Sequence, residues 1–567
     1  MKKTLAIMLA LIMVLAMVPA LAEGETTITS LDEITGAGSY ILGNNIAVGQ
    51  TLTISAEVTI DGSGKTLTYA DGFTGTMFNV TSGGKLTLKN VTIDGENNWT
   101  CDESGKVTSS GKTITGHVIN ADEGNITIEN TKFTNLYLSK ASTIYAGSII
   151  TSSIENTAFD HCAGIGSPAT FYSHAGWDWD NGFKKYNSNF SFNGMHIKNC
   201  YSNEAIFRIT GVATRTVNLT GCNISDNRVV GKNKENNILG FYNAKTLNIT
   251  NSTISNNTAD NNLLFFGGDV GLTFDSSNIK NNKCGNVYAT YGPSGKGLDF
   301  RSGEISGNTN SKGTGSSIWN TYKLNIGEDM TISTPMDLAY GSEMTNNGTI
   351  NGNVAIHAEQ GKSNTNNGTI NGDVTLYNHY DKTESSTFTS SGDIHGTVKN
   401  ESGTDNDGKQ IGQIIITGGQ YNELPEGTQV HGFRVNFDAN GGSVSPAVIV
   451  YPDPVEDHIH DFSFPTPTRG GYDFVGWFTA ATGGIQVKVD DMLPKGDPTT
   501  DGGQEVAPVT AITLYAHWTE QQPSGGGNGG GYSHYYPTTT PVPVIVIPPK
   551  TGDMTVWQSI LHFLGIR

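Results

Sequence analysis

Hydrophobic and polar residues alternate with a period of two along most of the chain. The segments LTLKNVTIDG (Leu86 to Gly95), VNLTGCNISDN (Val217 to Asn227) and LNITNSTISNN (247–257) each contain two short alternating runs around a small polar corner. Successive side chains of an extended backbone point to opposite faces, so the alternation buries one row and exposes the other. The pattern predicts short, half-buried β-strands and not helices, whose hydrophobic positions would recur about every 3.6 residues.

The same phrase recurs at a fixed interval. Its starts at Leu247, Leu272, Leu298 and Leu324 are 25 or 26 residues apart, and shorter copies follow after residue 345. The Leu-x-x-Leu-x-Leu frame of leucine-rich repeats is absent. Because one such unit cannot bury its apolar row alone, neighbouring units must stack. The repeat predicts an all-β solenoid of stacked coils.

Asparagine ends the second strand at one position of the repeat, in Asn227, Asn257, Asn282 and Asn308. Stacking places equivalent residues about 4.8 Å apart, so these amides are expected to form a structural ladder. Cys162 and Cys200 occupy the same position in two earlier repeats. If their coils are neighbours, this spacing permits a disulfide. A reduced, buried pair is the alternative.

Composition and charge narrow the class of protein. The chain of 567 residues has 71 Gly, 15% charged residues and a net charge of −19, so it repels nucleic acid. Residues 1–22 combine two lysines, an apolar run and a final Ala-Leu-Ala, which predicts a secretory signal peptide cleaved between Ala22 and Glu23. The sequence therefore predicts an exported protein.

Two long insertions carry the candidate chemistry, Asn97 to Thr113 and Gly164 to Tyr186. Alignment by distance from the preceding strand predicts that both leave the same corner of the solenoid. A patch of aromatic rings and carboxylates there suits a glycan, because rings offer flat apolar faces and carboxylates accept hydroxyl hydrogen bonds. The candidate ligand-binding residues are Trp99, Tyr137, Trp177, Asp178, Trp179, Asp180 and Tyr186.

Two other interpretations of this patch stay open. The rings equally suit a covering that seals the loops against the solenoid. Asp178 and Asp180 are the weak candidates for catalysis, which would need two carboxylates about 5–10 Å apart or an acidic calcium site. His161, His174 and His196 are expected to be hydrogen-bonded groups near the surface. The motifs of known metal and cofactor sites are absent, so no metal or cofactor is expected.

The N-terminal segments resemble a known architecture. ITSLDEITGAGSYILGNNIAVGQTLTI (Ile28 to Ile54), VTIDGSGKTLT (Val58 to Thr68) and the strand-ending asparagines resemble the right-handed parallel β-helix proteins that bacteria export. These include polymorphic-membrane-protein-like adhesins and the pectate-lyase-like superfamily. The resemblance implies a right-handed parallel β-helix over residues 23–428, and its motifs specify the coil without specifying a reaction.

A separate module follows at residues 431–519. FRVNFDANGG (Phe433 to Gly442), GYDFVGWF (Gly471 to Phe478) and ITLYAHWT (Ile512 to Thr519) resemble the Listeria-Bacteroides repeat of internalin-type surface proteins. The resemblance implies a small β-grasp-like module. An acidic insertion at residues 451–462 departs from the family pattern.

The C-terminal segment resembles a wall-anchoring signal. Residues 520–547 are rich in glycine and proline and are expected to act as a linker. Residues 548–567 begin with PPKTGD, which resembles the LPxTG sorting motif with Pro548 in place of leucine. The resemblance implies that a sortase attacks the carbonyl of Thr551, releases Gly552 and joins the chain to peptidoglycan. The apolar tail is shorter than the family pattern.

These features together predict a secreted, monomeric bacterial cell-surface protein, attached to the cell wall. We expect an adhesin or display stalk that binds extracellular glycans or host ligands without turnover. The alternative is a secreted polysaccharide lyase or glycoside hydrolase that acts in a β-helix groove.

Overall fold

A computed structural model describes most of the chain. The described residues are 24–122, 124–147, 151–174, 177–178, 182–183, 189–210, 216–231, 236–242, 244–268, 270–291, 297–310, 312–313, 315, 317–320, 323–339, 342–358, 362–378, 386–404, 408, 411–452, 464–488 and 511–521. The chain divides into two compact units, Met1–Lys362 and Ser363–Arg567.

In the first unit the chain winds repeatedly through three parallel sheets. Each strand pairs with the equivalent strand of the next coil, as Leu247 with Leu272 and Ile254 with Ile279 show for the first and second sheets. Coils of about this length were expected from the 25-residue repeat. The structure thus confirms an all-β parallel solenoid, with alternate residues directed inward as the sequence pattern requires.

Each sheet is built from strands of successive coils. The first sheet contains Thr26–Ile28, Gly38–Leu42, Glu57–Asp61, Lys85–Lys89, Asn125–Glu129, Thr151–Glu155, Asn189–Asn193, Thr216–Thr220, Thr246–Thr250, Gly271–Asp275 and Glu343–Asn346. The second contains Ile46–Val48, Thr66–Tyr69, Thr92–Asp94, His196–Lys198, Asn223–Ser225, Thr253–Ser255, Ser277–Lys280 and Thr349–Ile350. The third contains Leu52–Ile54, Phe78–Val80, Ile119–Ala121, Ile144–Ala146, Phe171–His174, Ala205–Thr210, Asn237–Tyr242, Ser317–Asn320, Met336–Leu338 and Val354–Ala358.

Some longer strands turn a corner and belong to two sheets. They are Lys132–Ser139, Ala158–Ile165, Thr258–Gly267, Lys283–Tyr291, Leu298–Ser306 and Lys323–Ile332. Between the second and third sheets, short stretches of successive coils also pair in parallel. We call this the side strip; it consists of 136–139, 162–165, Tyr201–Ser202, Arg228–Val229, 258–259 and 283–284. A short 3-10 helix, Leu31–Glu33, lies near the start of the unit.

Inward-facing apolar side chains fill the coils. Phe133 and Phe159, one coil apart, stack with ring centroids 5.0 Å apart and planes 8° from parallel. Phe171, Phe192 and Phe207 pack edge-to-face and stacked in the next coils, and all three are fully buried. Burying each such side chain stabilises the fold by about 1.5–3 kcal/mol. The core is therefore continuous from coil to coil.

The predicted asparagine ladder is confirmed. Asn227 donates from Nδ2 to Oδ1 of Asn257, Asn257 to Asn282 and Asn282 to Asn308, each over 2.9 Å. Each Oδ1 also accepts the backbone N–H of the residue one coil earlier, as Asn257 does from Asn227. Buried polar groups must be hydrogen-bonded, and the ladder meets that requirement at a corner inside the solenoid.

The residue before each ladder position has a left-handed backbone. Its φ is 60° at His161, 55° at Asn199, 57° at Asp226, 56° at Asn256 and 57° at Asn281. Asparagine, aspartate and histidine tolerate this conformation better than other residues with a side chain. The small polar corners of the sequence pattern are thus the sites where the chain turns from the second sheet.

The second unit begins with further coils of the same kind and ends in a mixed β-structure. Its coil strands are Ser363–Asn366, Thr369–Ile370, Val374–Asn378, Ser386–Ser390, Asp393–Ile394, Val398–Glu401, Gly412–Ile416, Gly419–Tyr421 and Gln429–Val430. The C-terminal strands are Phe433–Asp438, Val448–Tyr451, Tyr472–Phe478, Gln486–Val487 and Ala511–Glu520.

The last coil and the C-terminal strands share one hydrogen-bonded ladder. Gly419–Tyr421 pairs antiparallel with Val448–Tyr451. The hydroxyl of Tyr421 is buried at this join, 2.6 Å from the carbonyl of Gly418 and 2.9 Å from that of Gly392. The end strand of the coils is therefore covered and not left as an open edge, which would invite pairing with other chains.

Candidate functional site

The first insertion folds as a β-hairpin. Thr100–Cys101 pairs antiparallel with Val107–Thr108, and a further bridge joins Asn97 to Gly111. Asp102 closes the turn, because its carboxylate accepts from Ser104 Oγ at 2.6 Å and from the Lys106 N–H at 2.9 Å. These bonds hold the pKa of Asp102 below its usual value. We call residues 97–111 the hairpin.

The hairpin lies flat on the side strip. Trp99 is only 5% exposed and packs with Ala163 and Tyr201 in a small apolar cluster, with Tyr137 partly buried against it. Trp99 Nε1 donates to the carbonyl of His161 over 3.0 Å. Trp99 is therefore a covering residue, as one of the two open interpretations held, and its ring face is not free to stack on a ligand.

The expectation that both insertions leave the same corner is wrong. The hairpin follows Thr92–Asp94 of the second sheet, whereas the second insertion forms its own hairpin, Trp177–Asp178 with Gly182–Phe183, after Phe171–His174 of the third sheet. The alignment failed because Ala158–Ile165 continues around a corner, and the chain then returns to form a complete third-sheet strand. Trp99 and Trp177 consequently belong to different faces.

Several predicted residues are not described by the structure. Trp177 and Asp178 pair with the opposite strand through their backbones, but their side chains are not described. Trp179, Asp180, Tyr186, the signal-cleavage residues Ala22 and Glu23, and the sorting residues Thr551 and Gly552 lie outside the described residues.

Cys162 and Cys200 lie in register in adjacent coils, as predicted. Their flanking residues pair directly, Phe159 with Ile197 and Ala163 with Tyr201. Both side chains are free thiols in the structure and are fully buried. Burial and the neighbouring Cys200 thiol raise the pKa of Cys162 well above its usual value.

A row of rings lies on the outer face of the third sheet. Tyr145 and Tyr172 are in register one coil apart, and their ring centroids are 5.6 Å apart. His117 stacks on Tyr145 at 4.8 Å, and His174 lies 6.0 Å from Tyr172. We call His117, Tyr145, Tyr172 and His174 the ring row. Its tyrosines and His117 are partly exposed and His174 is exposed, so ring surface is available to a ligand.

Charged and polar groups border the ring row. Arg208 follows Tyr172 in register on the next coil and forms an ion pair of 3.1 Å with Glu204. His174 Nδ1 lies 2.8 Å from Thr210 Oγ1. Since Arg208 is 9% exposed and already paired, it holds its neighbours in place and offers little charge to an anionic ligand.

The tyrosines and His117 are uncharged near neutral pH. Burial raises the pKa of Tyr145 and of Tyr172, with Arg208 opposing the effect at Tyr172. Burial lowers the pKa of His117, against an opposing hydrogen bond with the backbone of Ser142. Desolvation disfavours the charged form of any such group. The ring row therefore offers flat apolar faces and neutral hydrogen-bonding groups.

Sequence reasoning noticed Tyr172 but did not place it with Tyr145 and His117. Tyr145 and Tyr172 are 27 residues apart, whereas Tyr172 and Arg208 are 36 apart, so unequal corners hide the register. A signal was present, because both tyrosines stand in the middle of a short run between two small or apolar residues, IYA and FYS. Among the described residues, no group of three or more His, Cys, Asp or Glu side chains is arranged to hold a metal ion.

The C-terminal strands enclose their own core. The first and last strands pair in parallel, Val435 with Ile512 and Phe437 with Leu514, and Tyr472–Phe478 pairs antiparallel with the last. Trp477 is buried against Phe437 at 4.9 Å and donates from Nε1 to the carbonyl of Pro465. Residues 433–517 match the family model of the Listeria-Bacteroides repeat.

The chain carries a Listeria-Bacteroides repeat domain at its C-terminal end. This repeat domain is typical of extracellular and surface proteins of bacteria, which is compatible with secretion. Comparison of the chain with curated proteins and with solved structures gave no match. Within the part of the chain that the structure describes, no helix is long and apolar enough to cross a membrane.

Proposed function

We propose that this protein is exported to the bacterial surface and binds an uncharged extracellular glycan on the ring row, without chemical turnover. The observation that carries the proposal is the alignment of Tyr145 and Tyr172 with His117 and His174 on one outer face. Such rings present flat apolar surface while their polar edges remain able to hydrogen-bond. A sugar offers the matching combination of apolar ring faces and hydroxyl groups.

Charge favours a neutral glycan over an anionic one. The chain has a net charge of −19 and therefore repels polyuronates over several ångströms. Arg208, the cation bordering the ring row, is already paired with Glu204. The surface-protein character of the repeat domain supports the same setting.

The test is binding of purified protein to neutral polysaccharides and to polyuronates, measured by affinity electrophoresis. We expect Tyr172→Thr and Tyr145→Thr to weaken binding at least tenfold, because threonine keeps strand propensity but removes the ring. Tyr377→Thr, which removes a partly exposed ring in the second unit, is the matched control. Unchanged binding in both ring-row variants would contradict the proposal.

The same incubations separate binding from catalysis. A display protein leaves the polysaccharide intact. New reducing ends or unsaturated uronates that disappear in Asp178→Asn would instead identify the alternative, a lyase or hydrolase.

We further propose attachment to the cell wall through the PPKTGD segment. Its support is the sorting-like spacing around Thr551 and Gly552 after a proline-rich stretch. Cell fractionation decides: wild-type protein should remain in the wall fraction, whereas Thr551→Ala protein should appear in the medium. Equal distribution of the two proteins would rule out sorting at this segment.

A further inference from the structure

The hairpin is held on the side strip by a small number of specific contacts. The Tyr201 hydroxyl donates to the carbonyl of Gly105 over 3.0 Å, and the Arg228 guanidinium donates to the carbonyl of Glu103. The backbone at Gly105 has φ 85°, and a Cβ there would lie 2.7 Å from Val230. The tip thus approaches the strip closely, while the base of the hairpin is held by Trp99.

His161 connects the base of the hairpin to the coils. Its ring stacks on the Trp99 ring with centroids 4.2 Å apart and planes 10° from parallel. His161 Nε2 lies 2.8 Å from the carbonyl oxygen of Trp99, and Nδ1 lies 3.1 Å from Oδ1 of Asn135. One imidazole therefore bridges the hairpin and the preceding coil.

Both partners of this imidazole are hydrogen-bond acceptors. A backbone carbonyl can only accept. Asn135 presents its Oδ1 to His161 because its Nδ2 donates to Asp94 over 3.1 Å. A neutral histidine has one N–H and one lone pair, so it satisfies one of these oxygens, whereas the protonated ring donates to both. The charged ring also gains from lying over the indole face of Trp99.

The charges around His161 agree with this arrangement. Asp94 lies behind Asn135, and the adjacent Asp160 is bound by Lys132 at 3.4 Å and by Asn199 at 3.0 Å. On the hairpin side, Asp102 and Glu103 belong to the turn. The nearby cations are the bordering Lys106, Lys112 and Arg228, of which Lys112 is paired with Glu96 and Arg228 is bonded to the hairpin carbonyl.

We infer that His161 is a proton-dependent clasp that holds the hairpin closed on the side strip in acid and loosens it as the pH rises. The closed hairpin binds the proton that an open one releases, so by linkage acid favours closure. The relevant range is that in which histidine side chains lose their proton, around pH 6.5. Opening uncovers the Trp99 ring and the apolar surface of Ala163 and Tyr201.

The test is amide hydrogen exchange of the hairpin, followed by mass spectrometry of the full chain between pH 5 and pH 8 and corrected for intrinsic exchange rates. We expect protection of the hairpin amides to fall about tenfold across this range. His161→Asn should give the low protection at every pH, because asparagine accepts the left-handed backbone, as Asn199 does at the same corner.

His117→Asn is the matched control. The Ser142 N–H donates to Nδ1 of His117 over 3.0 Å, so this histidine acts as an acceptor outside the hairpin. Its replacement should leave the pH response of the hairpin unchanged. Protection in the wild-type protein that does not vary with pH overturns the inference, and so does a wild-type pH response that persists in the His161→Asn protein.

Discussion

At the residue scale, the corners of the solenoid depend on a few side chains with every polar atom satisfied. Asn257 is fully buried. Its Nδ2 donates to the carbonyl of Ile224 and to Asn282, and its Oδ1 accepts from both nitrogens of Asn227. In a buried site, an unpartnered donor or acceptor costs more than a hydrogen bond gains.

Removing one ladder amide should therefore destabilise the protein markedly. We expect Asn257→Ala to lower the free energy of unfolding by about 2–3 kcal/mol, because it leaves the Asn227 donors without an acceptor. Urea denaturation followed by circular dichroism measures the change. Asn256→Gly is the control, since Asn256 is exposed with φ 56° and glycine suits that backbone. Equal losses in both variants would argue against the ladder.

The cysteines should differ in reactivity. Cys101 is partly exposed, whereas the other four are buried, and burial raises the pKa of Cys222 to about 11. Because the thiolate is the reactive form, iodoacetamide should modify the native, reduced protein at Cys101 first. Mass spectrometry with and without reductant also decides the predicted Cys162–Cys200 disulfide, which would lower the mass by two hydrogen atoms. Rapid native modification of Cys200 would contradict the burial.

At the element scale, the alternating pattern predicted the strands and the repeat predicted their stacking. Leu247 and Leu272 are direct partners. The pattern could not predict where an insertion leaves the coil, because strands such as Ala158–Ile165 turn a corner without a break. The position of the hairpin thus depended on pairing that the local sequence does not encode.

The repeat domain should protect the last coil from association. Gly419–Tyr421 gains its second neighbour from Val448–Tyr451, and an unpaired strand edge promotes aggregation. We expect a chain truncated after residue 431 to form soluble aggregates, which size-exclusion chromatography with light scattering detects. A chain truncated after residue 521 keeps this pairing and is the control. A monodisperse, folded product of the shorter chain would contradict the expected capping role.

At the scale of the whole molecule, buried tyrosines make stability fall in alkali. Burial raises the pKa of Tyr451 to about 12 and raises those of Tyr69 and Tyr421 further. An unfolded tyrosine ionises near pH 10. Above that pH the unfolded chain releases protons that the native chain retains, so the free energy of unfolding decreases as the pH rises.

We therefore expect the urea midpoint to fall between pH 10 and pH 12. Each buried tyrosine contributes about 1.4 kcal/mol per pH unit in this window. Tyrosinate absorbance and circular dichroism should change together, because ionisation accompanies unfolding. Tyr451→Phe should reduce the slope. Ionisation of all tyrosines near pH 10 in a protein that stays folded would contradict the expectation.

The sequence by itself determined the strands, the parallel stacking and the partners along the ladder. These follow from alternation and from a nearly constant repeat between Asn257, Asn282 and Asn308, so equal spacing along the chain becomes vertical stacking. It likewise identified the repeat domain, whose aromatic phrases form a local core.

Only the tertiary structure decided which side chains share a face. His117 lies at the end of an insertion, Tyr145 and Tyr172 are 27 residues apart, and Arg208 follows 36 residues later, yet the tyrosines and Arg208 are in register on adjacent coils. Trp99 and His161 meet across 62 residues. The physical reason is that backbone hydrogen bonding fixes the register of the strands, while the corners between them absorb any difference in length.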